Sequence, residues 1–350
     1  MYNRWLCKVK TMSNNFDEMA VSTAKITMLS GVDRSNVVRY VHNNGIKGTA
    51  PRRQGAKSSY TISTAREILS NFVSSRRIPR QDRKVLSFYN FKGGTGKTTI
   101  CYHFATHLAI CGYKVLLIDA DPQGHLSSSL GFDTNDQYPT LYDVMVNKLP
   151  LNDVIQNVFD GLDCIPANLS LTKLETKINE MTRREERLRL DFKASEQYDF
   201  IIFDTNPTIS MVNRNIAIFS DMINIVTETQ PYSLHGLRML LSDLDEFFAS
   251  MDKEQPLIRI IPNKYEERTT SSAEAIIALF KMYKDKVLPD FAVRRTEDFV
   301  KSAKLGAPLA LFCKPKSPAL EDIVELIYLS LNDITVSKKE AALDKKVVNG

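Results

Sequence analysis

One glycine-rich loop in the chain has the residue types and the spacing that bind phosphate groups. Its residues are Lys92, Gly93, Gly94, Thr95, Gly96, Lys97, Thr98 and Thr99. An apolar segment, 85–91, precedes the loop and a helical pattern follows it, which is the strand–loop–helix order that such a loop needs. The glycines allow successive N–H groups to point at phosphate oxygens, and the helix adds its positive dipole end. We therefore predict that this phosphate loop, residues 92–99, binds a nucleotide, with Lys97 at the β- and γ-phosphates and Thr98 at Mg²⁺.

Three acidic residues follow apolar strand patterns further along the chain. Asp119 and Asp121 come after the run 114–118, and Asp204 follows the run 198–203. The carboxyl ends of parallel strands form the edge at which open α/β sheets bind their ligands. An apolar run that ends in an acid is typical of a strand whose carboxylate holds Mg²⁺ through water. The series predicts that Asp204 belongs to the metal site of the phosphate loop.

The first lysine of the loop adds a family resemblance. The pattern Lys-Gly-Gly-x-Gly-Lys-Thr-Thr resembles the deviant Walker A loop of the ParA/MinD ATPases, and residues 119–124, Asp-Ala-Asp-Pro-Gln-Gly, resemble a segment typical of ParA proteins. The resemblance implies that Lys92 crosses a dimer interface to the partner's ATP, a role that an arginine finger plays elsewhere. It also implies that Asp119 lies near the water shell of Mg²⁺ and that Asp121 positions or activates the attacking water. The alternative for Lys92 is a solvated loop lysine.

Other strand ends resemble the same family. Residues 162–168 are similar to its Ile-Pro-Ala-Asn strand end. Asn263 is similar to the residue that contacts the edge of the adenine base in relatives. An asparagine at a strand end is also a common turn former, so both interpretations of Asn263 stay open. The residues after Asp204 are Thr-Asn-Pro, whereas family members commonly continue Asp-x-Pro-Pro. This departure leaves open the conformation of the switch segment that follows Asp204.

Basic residues are concentrated in the first quarter of the chain. Residues 1–84 contain 16 lysines and arginines and 5 acidic residues, a net charge of +11, whereas the remainder has a net charge of −6. Residues 22–41 have helix-turn-helix spacing, with Gly31 at the turn, and a basic wing with a return strand at 59–62 can follow. This pattern predicts contacts to bases and phosphates, although a solvated helical hairpin is the alternative. The candidate residues are Arg34, Ser35, Asn36, Arg39, Arg52, Arg53 and Lys57.

A second basic segment lies near the end of the chain. Residues 293–309 are similar to the Arg-rich turn, helix and Gly-x-Pro close of ParA proteins. The resemblance implies a nonspecific DNA surface on the ATP-bound dimer, with Arg294, Arg295, Lys301 and Lys304 as candidates. A charge run is also typical of an ordinary solvated face.

The rest of the sequence alternates apolar runs with helical patterns. It predicts strands near 222–228, 256–262 and 287–293, and helices near 172–192, 208–220, 233–251, 271–284 and 317–331. This alternation favours an α/β P-loop NTPase with a mostly parallel sheet covered by helices on both faces, preceded by a small winged helix-turn-helix domain. The predicted divisions are a DNA-binding domain at 1–75, a basic linker at 76–84, an ATPase domain at 85–334 and a flexible tail at 335–350.

Composition agrees with a protein of the cytoplasm. The 350 residues are 43% hydrophobic and 25% charged, which is ordinary for a globular protein of about two domains. The five cysteines are scattered without a Cys-x-x-Cys pair, which favours reduced thiols over a disulfide framework. No apolar run approaches 18 residues, so we expect no membrane insertion.

The motifs and the resemblance together imply a ParA-type DNA-partition ATPase. Such a protein uses ATP and Mg²⁺, forms a homodimer, binds DNA on the nucleoid and is stimulated by a ParB-type centromere-binding protein. The helix-turn-helix would also bind an operator. Three alternatives differ in class, namely a MinD-like positioning ATPase, a DNA-binding repressor with a nucleotide-sensing domain, and a metabolic kinase or ligase on the same fold.

Overall fold

A computed structural model describes residues 16, 19–49, 58–72, 83–192, 197–230 and 232–332. The strands are β1 (Ala20–Ser22), β2 (Ser59–Thr61), β3 (Lys84–Tyr89), β4 (Val115–Asp119), β5 (Gln156–Phe159), β6 (Leu162–Ile165), β7 (Phe200–Asp204), β8 (Met222–Glu228) and β9 (Leu257–Asn263). The helices are α1 (Thr23–Ser30), α2 (Arg34–Asn43), α3 (Ile62–Phe72), α4 (Lys97–Ile110), α5 (His125–Ser129), α6 (Leu141–Met145), α7 (Leu151–Val154), α8 (Leu174–Asn179), α9 (Arg187–Asp191), α10 (Met211–Phe219), α11 (Ser233–Ser250), α12 (Thr270–Tyr283), α13 (Glu297–Leu305), α14 (Leu309–Phe312) and α15 (318–332).

Seven of the strands form one sheet in the order β5-β6-β4-β7-β3-β8-β9. All neighbours in this sheet are parallel except β5 and β6, which pair antiparallel at its edge. Parallel neighbours require crossover connections, and the intervening helices supply them. The order places β4, β7 and β3 side by side, so the three segments that carry the predicted acids and the phosphate loop end at the same edge.

Both faces of the sheet are covered, as the sequence predicts for strands that are apolar throughout. Val115 and Leu117 of β4 belong to the core on one face, while Leu116 and Ile118 belong to the core on the other. Successive strand residues point to opposite faces, so a strand that is buried on both sides is apolar at every position. The central strands are therefore held rigidly, which fixes the positions of the residues that follow them.

The N-terminal elements pack against the sheet domain. β1 pairs antiparallel with β2, and α1 and α2 are joined at Gly31, whose φ of 66° lies in the left-handed region. The side chains of Leu29 and Val37 are fully buried between these helices and join the core on one face of the sheet. Arg66 of α3 donates hydrogen bonds to the backbone oxygens of two residues of the body, and its burial lowers the pKa of the guanidinium. These contacts fix the N-terminal segment to the body.

Several sequence predictions need correction. The predicted helix at 172–192 is broken into α8, α9 and the short 3-10 helices Leu169–Lys173 and Arg184–Glu186. The predicted strand at 287–293 is not continuous, because its pairing with the segment around β9 is confined to its two ends, at isolated bridges of Val287 and Arg294 and backbone hydrogen bonds of Val293. Lys84, the last residue of the predicted basic linker at 76–84, is the buried first residue of β3. Linker residues 76–82 and the predicted tail, 335–350, lie outside the described residues, whereas Arg83 of the linker is described. Within the described ranges no helix combines the length and apolar character that a membrane crossing requires.

Candidate nucleotide and catalytic site

The phosphate loop connects the end of β3 to the start of α4. Gly94 and Gly96 have φ values of 80° and 87°, which favour glycine because a side chain is strained there. Gly96 is the residue before α4, and a Cβ atom on it would lie 2.4 Å from the side-chain nitrogen of Asn263. That nitrogen donates to the carbonyl oxygen of Thr95 at 2.7 Å. The glycine is therefore required by both its conformation and its close neighbour.

Lys97 and Asp204 form a buried ion pair at the base of the loop. The lysine Nζ lies 2.5 Å from Asp204 Oδ1, and both side chains are almost wholly buried. Burial raises the pKa of Asp204, although the charge of Lys97 and a hydrogen bond from Thr98 oppose that shift. The contact fixes the lysine and the carboxylate beside the start of α4, where the loop would receive phosphate groups.

Asp119 lies beside Asp204 because their strands are parallel neighbours with these two residues in register. Its Oδ2 accepts hydrogen bonds from the backbone N–H and the hydroxyl of Ser127, at 2.9 and 2.7 Å. Burial and the nearby charge of Asp204 raise the pKa of Asp119 to about 7. Its Oδ1 accepts from the backbone N–H of Asp121 at 3.1 Å. Asp119 thus holds the segment that carries Asp121 in place.

A cavity of about 720 Å³ lies against the phosphate loop. Asp121 lines it, and so does a face of α13 that includes Phe299, Ser302 and Ala303. The remaining lining residues outside the loop are Tyr102, His103, Gln123, His125, Ser128, Ser129, Pro207, Lys264 and Gly306. The volume and the lining are suited to a ligand of nucleotide size, since ligand pockets span roughly 300–1,000 Å³.

Two buried oxygens, one in the phosphate loop and one on the carboxylate that contacts Lys97, have no hydrogen-bond partner among the described residues. They are Asp204 Oδ2 and Thr95 Oγ1. A buried polar atom without a partner is costly, so such atoms indicate a ligand or a water that completes them. A carboxylate oxygen beside the Thr98 hydroxyl is suited to the water shell of a hydrated Mg²⁺. The residues present therefore fit a magnesium–nucleotide complex.

Lys92 lies at the mouth of the cavity with about half of its side chain exposed. Its Nζ is 2.9 Å from Glu228 Oε2, and the other oxygen of Glu228 is 2.7 Å from Lys264 Nζ. Lys264 also donates to the carbonyl oxygen of Gly94 at 2.5 Å. The loop is thus held from β8 by Glu228 and from the end of β9 by Lys264.

Comparison with known proteins identifies the family. A family model described as an AAA domain matches residues 83–256. The cell division protein PomZ of Myxococcus xanthus is 31% identical over 283 residues, which cover 80% of this chain and 88% of PomZ. The chromosome partitioning protein ParA of Caulobacter vibrioides is 30% identical over 233 residues, which cover 65% of this chain and 87% of ParA. The chain belongs to the ParA-type family of P-loop partition ATPases.

A solved structure agrees with this assignment at the level of the fold. The ATP complex of a McdA variant from Cyanothece superposes with a TM-score of 0.65 at 22% identity, covering 72% of this chain and 97% of McdA. The mostly parallel sheet with flanking helices is therefore the P-loop NTPase fold that the sequence predicts. As a member of the ParA-type family, the chain is an ATPase.

The structure brings the predicted nucleotide and metal residues together. Residues 92–99 line one cavity with Asp121, while Asp119 and Asp204 are buried side by side and Asp204 contacts Lys97 of the loop. Asn263 is at the loop, but its amide nitrogen is bound to Thr95 O, so a base contact through its oxygen stays a prediction. The Thr-Asn-Pro segment after Asp204 is held by Asn213 of α10, whose amide donates to Asn206 and Thr208.

Sequence reasoning missed several residues at this ParA-type site. Glu228 follows the pattern of the other acids, because it ends an apolar strand, and this signal could have found it. Ser127 and the α13 face carry no such signal, since only the fold brings them to the loop.

The predicted DNA-binding residues have different environments. Arg34, Ser35, Asn36 and Arg39 are exposed on α2, whereas positions 52, 53 and 57 lie outside the described residues. Arg294 is bound to Asp322 of α15 by several hydrogen bonds, the shortest of 2.6 Å. This guanidinium anchors α15 and its charge is already paired within the chain, so a DNA contact of Arg294 stays a prediction. The side chains of Arg295, Lys301 and Lys304 remain exposed.

The buried imidazole of His103 is expected to make stability depend on pH. Burial and neighbouring His107 lower the pKa of His103 to about 3, so the folded protein keeps it neutral. The unfolded chain binds a proton there near pH 6.5, so the stability that the neutral imidazole contributes is lost as pH falls below 6.5. Between pH 7 and pH 5 this loss is about 2 kcal/mol. Urea unfolding at both pH values should show a smaller loss for His103→Gln; equal losses would contradict the assignment.

Proposed function

We propose that this protein is a DNA-partition ATPase in which two chains enclose two ATP molecules between them. Lys92 carries the proposal, because it is the only cation of the phosphate loop that is half-exposed at the cavity mouth, whereas Lys97 is buried beneath it. Such a lysine can contact a triphosphate bound by a second subunit facing this cavity. The ATP-bound dimer binds DNA nonspecifically, and a ParB-type partner stimulates hydrolysis and release.

Each residue of the site has a separate role in the proposed hydrolysis. Lys97, positioned by Asp204, holds the β- and γ-phosphates, and the N–H groups of the loop bind their oxygens. Thr98, Asp204 and Asp119 would hold Mg²⁺ through one hydroxyl and its waters, and the ion would neutralise phosphate charge. Asp121 faces the cavity and orients the attacking water, while Lys92 of the other subunit offsets the charge that develops on the transferred group.

Replacing Asp121 tests the proposal. Asp121→Ala is expected to reduce ATP turnover by about 10²- to 10⁴-fold, because a positioned group that orients water or accepts its proton contributes on that order. ATP binding should persist, since Lys97 and the loop are unchanged, and the protein should stay on DNA as an ATP dimer. The measurements are steady-state turnover and retention of protein on nonspecific DNA in ATP.

The matched control is Asp133→Ala, which removes a loop carboxylate that does not line the cavity and instead accepts hydrogen bonds from Asn135. It should turn over ATP at the wild-type rate. Normal turnover by Asp121→Ala would show that Asp121 does not position the water. DNA binding that is indifferent to nucleotide would favour a simple repressor.

We further propose that α1 and α2 form an operator-binding helix-turn-helix in a DNA-binding domain at 1–75, followed by the linker and the ATPase domain at 85–334. The exposed polar start of α2, the buried Leu29 and Val37 and the turn at Gly31 support this proposal. In such a motif the N-terminal part of the second helix contacts base edges. The basic residues of α13 and Arg295 would form the separate nonspecific surface.

Arg34→Ala/Arg39→Ala is expected to weaken operator binding by about 10- to 100-fold, since specific base contacts are worth roughly 1–3 kcal/mol each. ATP turnover should not change, because neither residue lines the cavity. The measurement is anisotropy with a duplex from upstream of the protein's own gene. As the control, Lys301→Ala/Lys304→Ala should weaken ATP-dependent nonspecific binding and leave operator binding intact. The proposal fails if both double variants bind the duplex equally.

A second candidate function is the positioning of a cellular structure other than DNA. It is favoured by the similarity to PomZ, a cell division protein. This candidate uses the same dimer and the same hydrolysis, and differs in the cargo that carries the stimulating partner. Locating the labelled protein in dividing cells distinguishes the two, since a partition protein follows its replicon and a positioning protein follows the division site.

A further inference from the structure

Glu228 holds two lysines of the nucleotide site at once. Its Oε2 lies 2.9 Å from Lys92 Nζ, and its Oε1 lies 2.7 Å from Lys264 Nζ. The carboxylate is only 16% exposed, whereas Lys92 and Lys264 are 49% and 42% exposed. Burial disfavours the charged carboxylate, but hydrogen bonds from both lysines outweigh burial and lower the pKa of Glu228. Glu228 is thus a charged, largely buried acceptor for two partly exposed cations.

The surrounding fold fixes this acceptor in place. Glu228 is the last residue of β8, and it is in parallel register with Asn263, the last residue of β9. Lys264 follows with a φ of 57°, a left-handed conformation that is uncommon for lysine. Its ammonium group also donates to Gly94 O, so Glu228 and the loop share one anchor. Among the contacts of the described residues, Lys92 Nζ by contrast is bound by Glu228 alone, so it is the member of the cluster that can leave.

We propose that Glu228 is a positioning residue that retains Lys92 on its own subunit and thereby opposes assembly of the ATP dimer. This inference rests on the proposed function, in which Lys92 contacts the partner's triphosphate. In this proposal Lys92 Nζ leaves Glu228 in order to reach a phosphate of the facing subunit. Each subunit must therefore break this contact on assembly, and a symmetric dimer breaks two of them.

The size of the effect follows from the exposure of the pair. An ion pair with an exposed member contributes little free energy, so one such contact weakens the dimer without preventing its assembly. Because two contacts break per dimer, the association constant for dimerisation, here called the dimerisation constant, should be about tenfold higher for Glu228→Gln than for the wild type. This corresponds to about 1.4 kcal/mol. The amide keeps the shape of the side chain and removes its charge.

The dimerisation constant is measured by sedimentation equilibrium with saturating non-hydrolysable ATP analogue and no DNA. The matched control is Glu266→Gln, which removes the carboxylate of another partly exposed pair, Glu266 with Arg295 at 2.7 Å. Glu266→Gln should dimerise as the wild type does. A constant for Glu228→Gln that equals or falls below that of the wild type would overturn the proposal.

A second measurement reports on Lys92 itself. Reductive methylation followed by mass spectrometry measures how readily each lysine reacts, and Lys92 should react several-fold faster in Glu228→Gln than in the wild type. Lys301, which pairs with Asp298 instead of Glu228, is the internal reference. Unchanged reactivity of Lys92 would show that Glu228 does not retain it.

These outcomes separate the inference from the function on which it rests. If Lys92→Gln dimerises and hydrolyses ATP as the wild type does, the proposed role of Lys92 is wrong whatever Glu228 does. If Lys92→Gln is inactive and Glu228→Gln is indistinguishable from the wild type, the role of Lys92 stands and the retaining contact is wrong. A tenfold gain in Glu228→Gln that disappears in Lys92→Gln/Glu228→Gln supports both.

Discussion

Lys97→Ala is expected to abolish ATP binding and hydrolysis and also to destabilise the fold. The loss of binding follows from the position of Lys97 at the first turn of α4, where it would hold the β- and γ-phosphates. The loss of stability follows from its buried contact with Asp204. Removing one member of a buried ion pair leaves the other charge uncompensated and costs about 3–5 kcal/mol. Titration calorimetry with ATP and urea unfolding without nucleotide measure the two effects.

A double variant separates the two effects of this substitution. In Lys97→Ala/Asp204→Asn the remaining partner is neutral, so most of the lost stability should return while ATP binding stays absent. Lys177→Ala is the control for an exposed pair, since Lys177 and Glu180 are both about half-exposed, and it should change stability little. ATP binding by Lys97→Ala would show that the loop is not the phosphate site. A Lys97→Ala protein as stable as the wild type would show that the ion pair between Lys97 and Asp204 does not stabilise the fold.

The local features of the site could be predicted because they depend on neighbours in sequence. Glycines at 94 and 96 adopt the positive φ that the loop pattern requires, and the apolar run before Asp204 forms a strand buried on both faces. Asp119 and Asp204 then meet because parallel strands align their carboxyl ends. Each of these inferences uses a rule that holds within one strand–loop–helix unit or between adjacent strands.

Features that depend on distant contacts could not be predicted. The helix predicted at 172–192 is interrupted because tertiary contacts override its periodicity, as when Asn215 of α10 donates to the carbonyl oxygen of Arg184 and accepts from the backbone N–H of Leu188. The sequence predicts that Arg294 is a surface cation, yet Asp322 of α15 binds its guanidinium. The lining of the cavity by α13 and the contact of Glu228 with Lys92 depend on how separate crossovers pack, which no local pattern specifies.

Lys92→Gln is expected to retain ATP binding and to lose about 10³-fold in partner-stimulated hydrolysis. Binding persists because Lys97 and the loop N–H groups are unchanged. Hydrolysis falls because a cation supplied across an interface to the transition state is worth roughly 10³ to 10⁵ in rate. The measurement is ATP turnover with DNA and the ParB-type partner. Lys148→Gln is the control and should hydrolyse ATP at the wild-type rate, because Lys148 is also half-exposed and paired with a carboxylate but does not line the cavity.

Mixing two inactive variants decides whether Lys92 acts across the interface. In a heterodimer of Lys92→Gln and Asp121→Ala chains, the site on the Lys92→Gln chain keeps its own Asp121 and receives the intact Lys92 of the other chain. Random pairing of equal amounts should therefore restore about one quarter of the wild-type stimulated rate. If Lys92 acted within its own chain, every site in the mixture would lack one of the two groups. The mixture would then be as inactive as its parts, which would disprove the shared site.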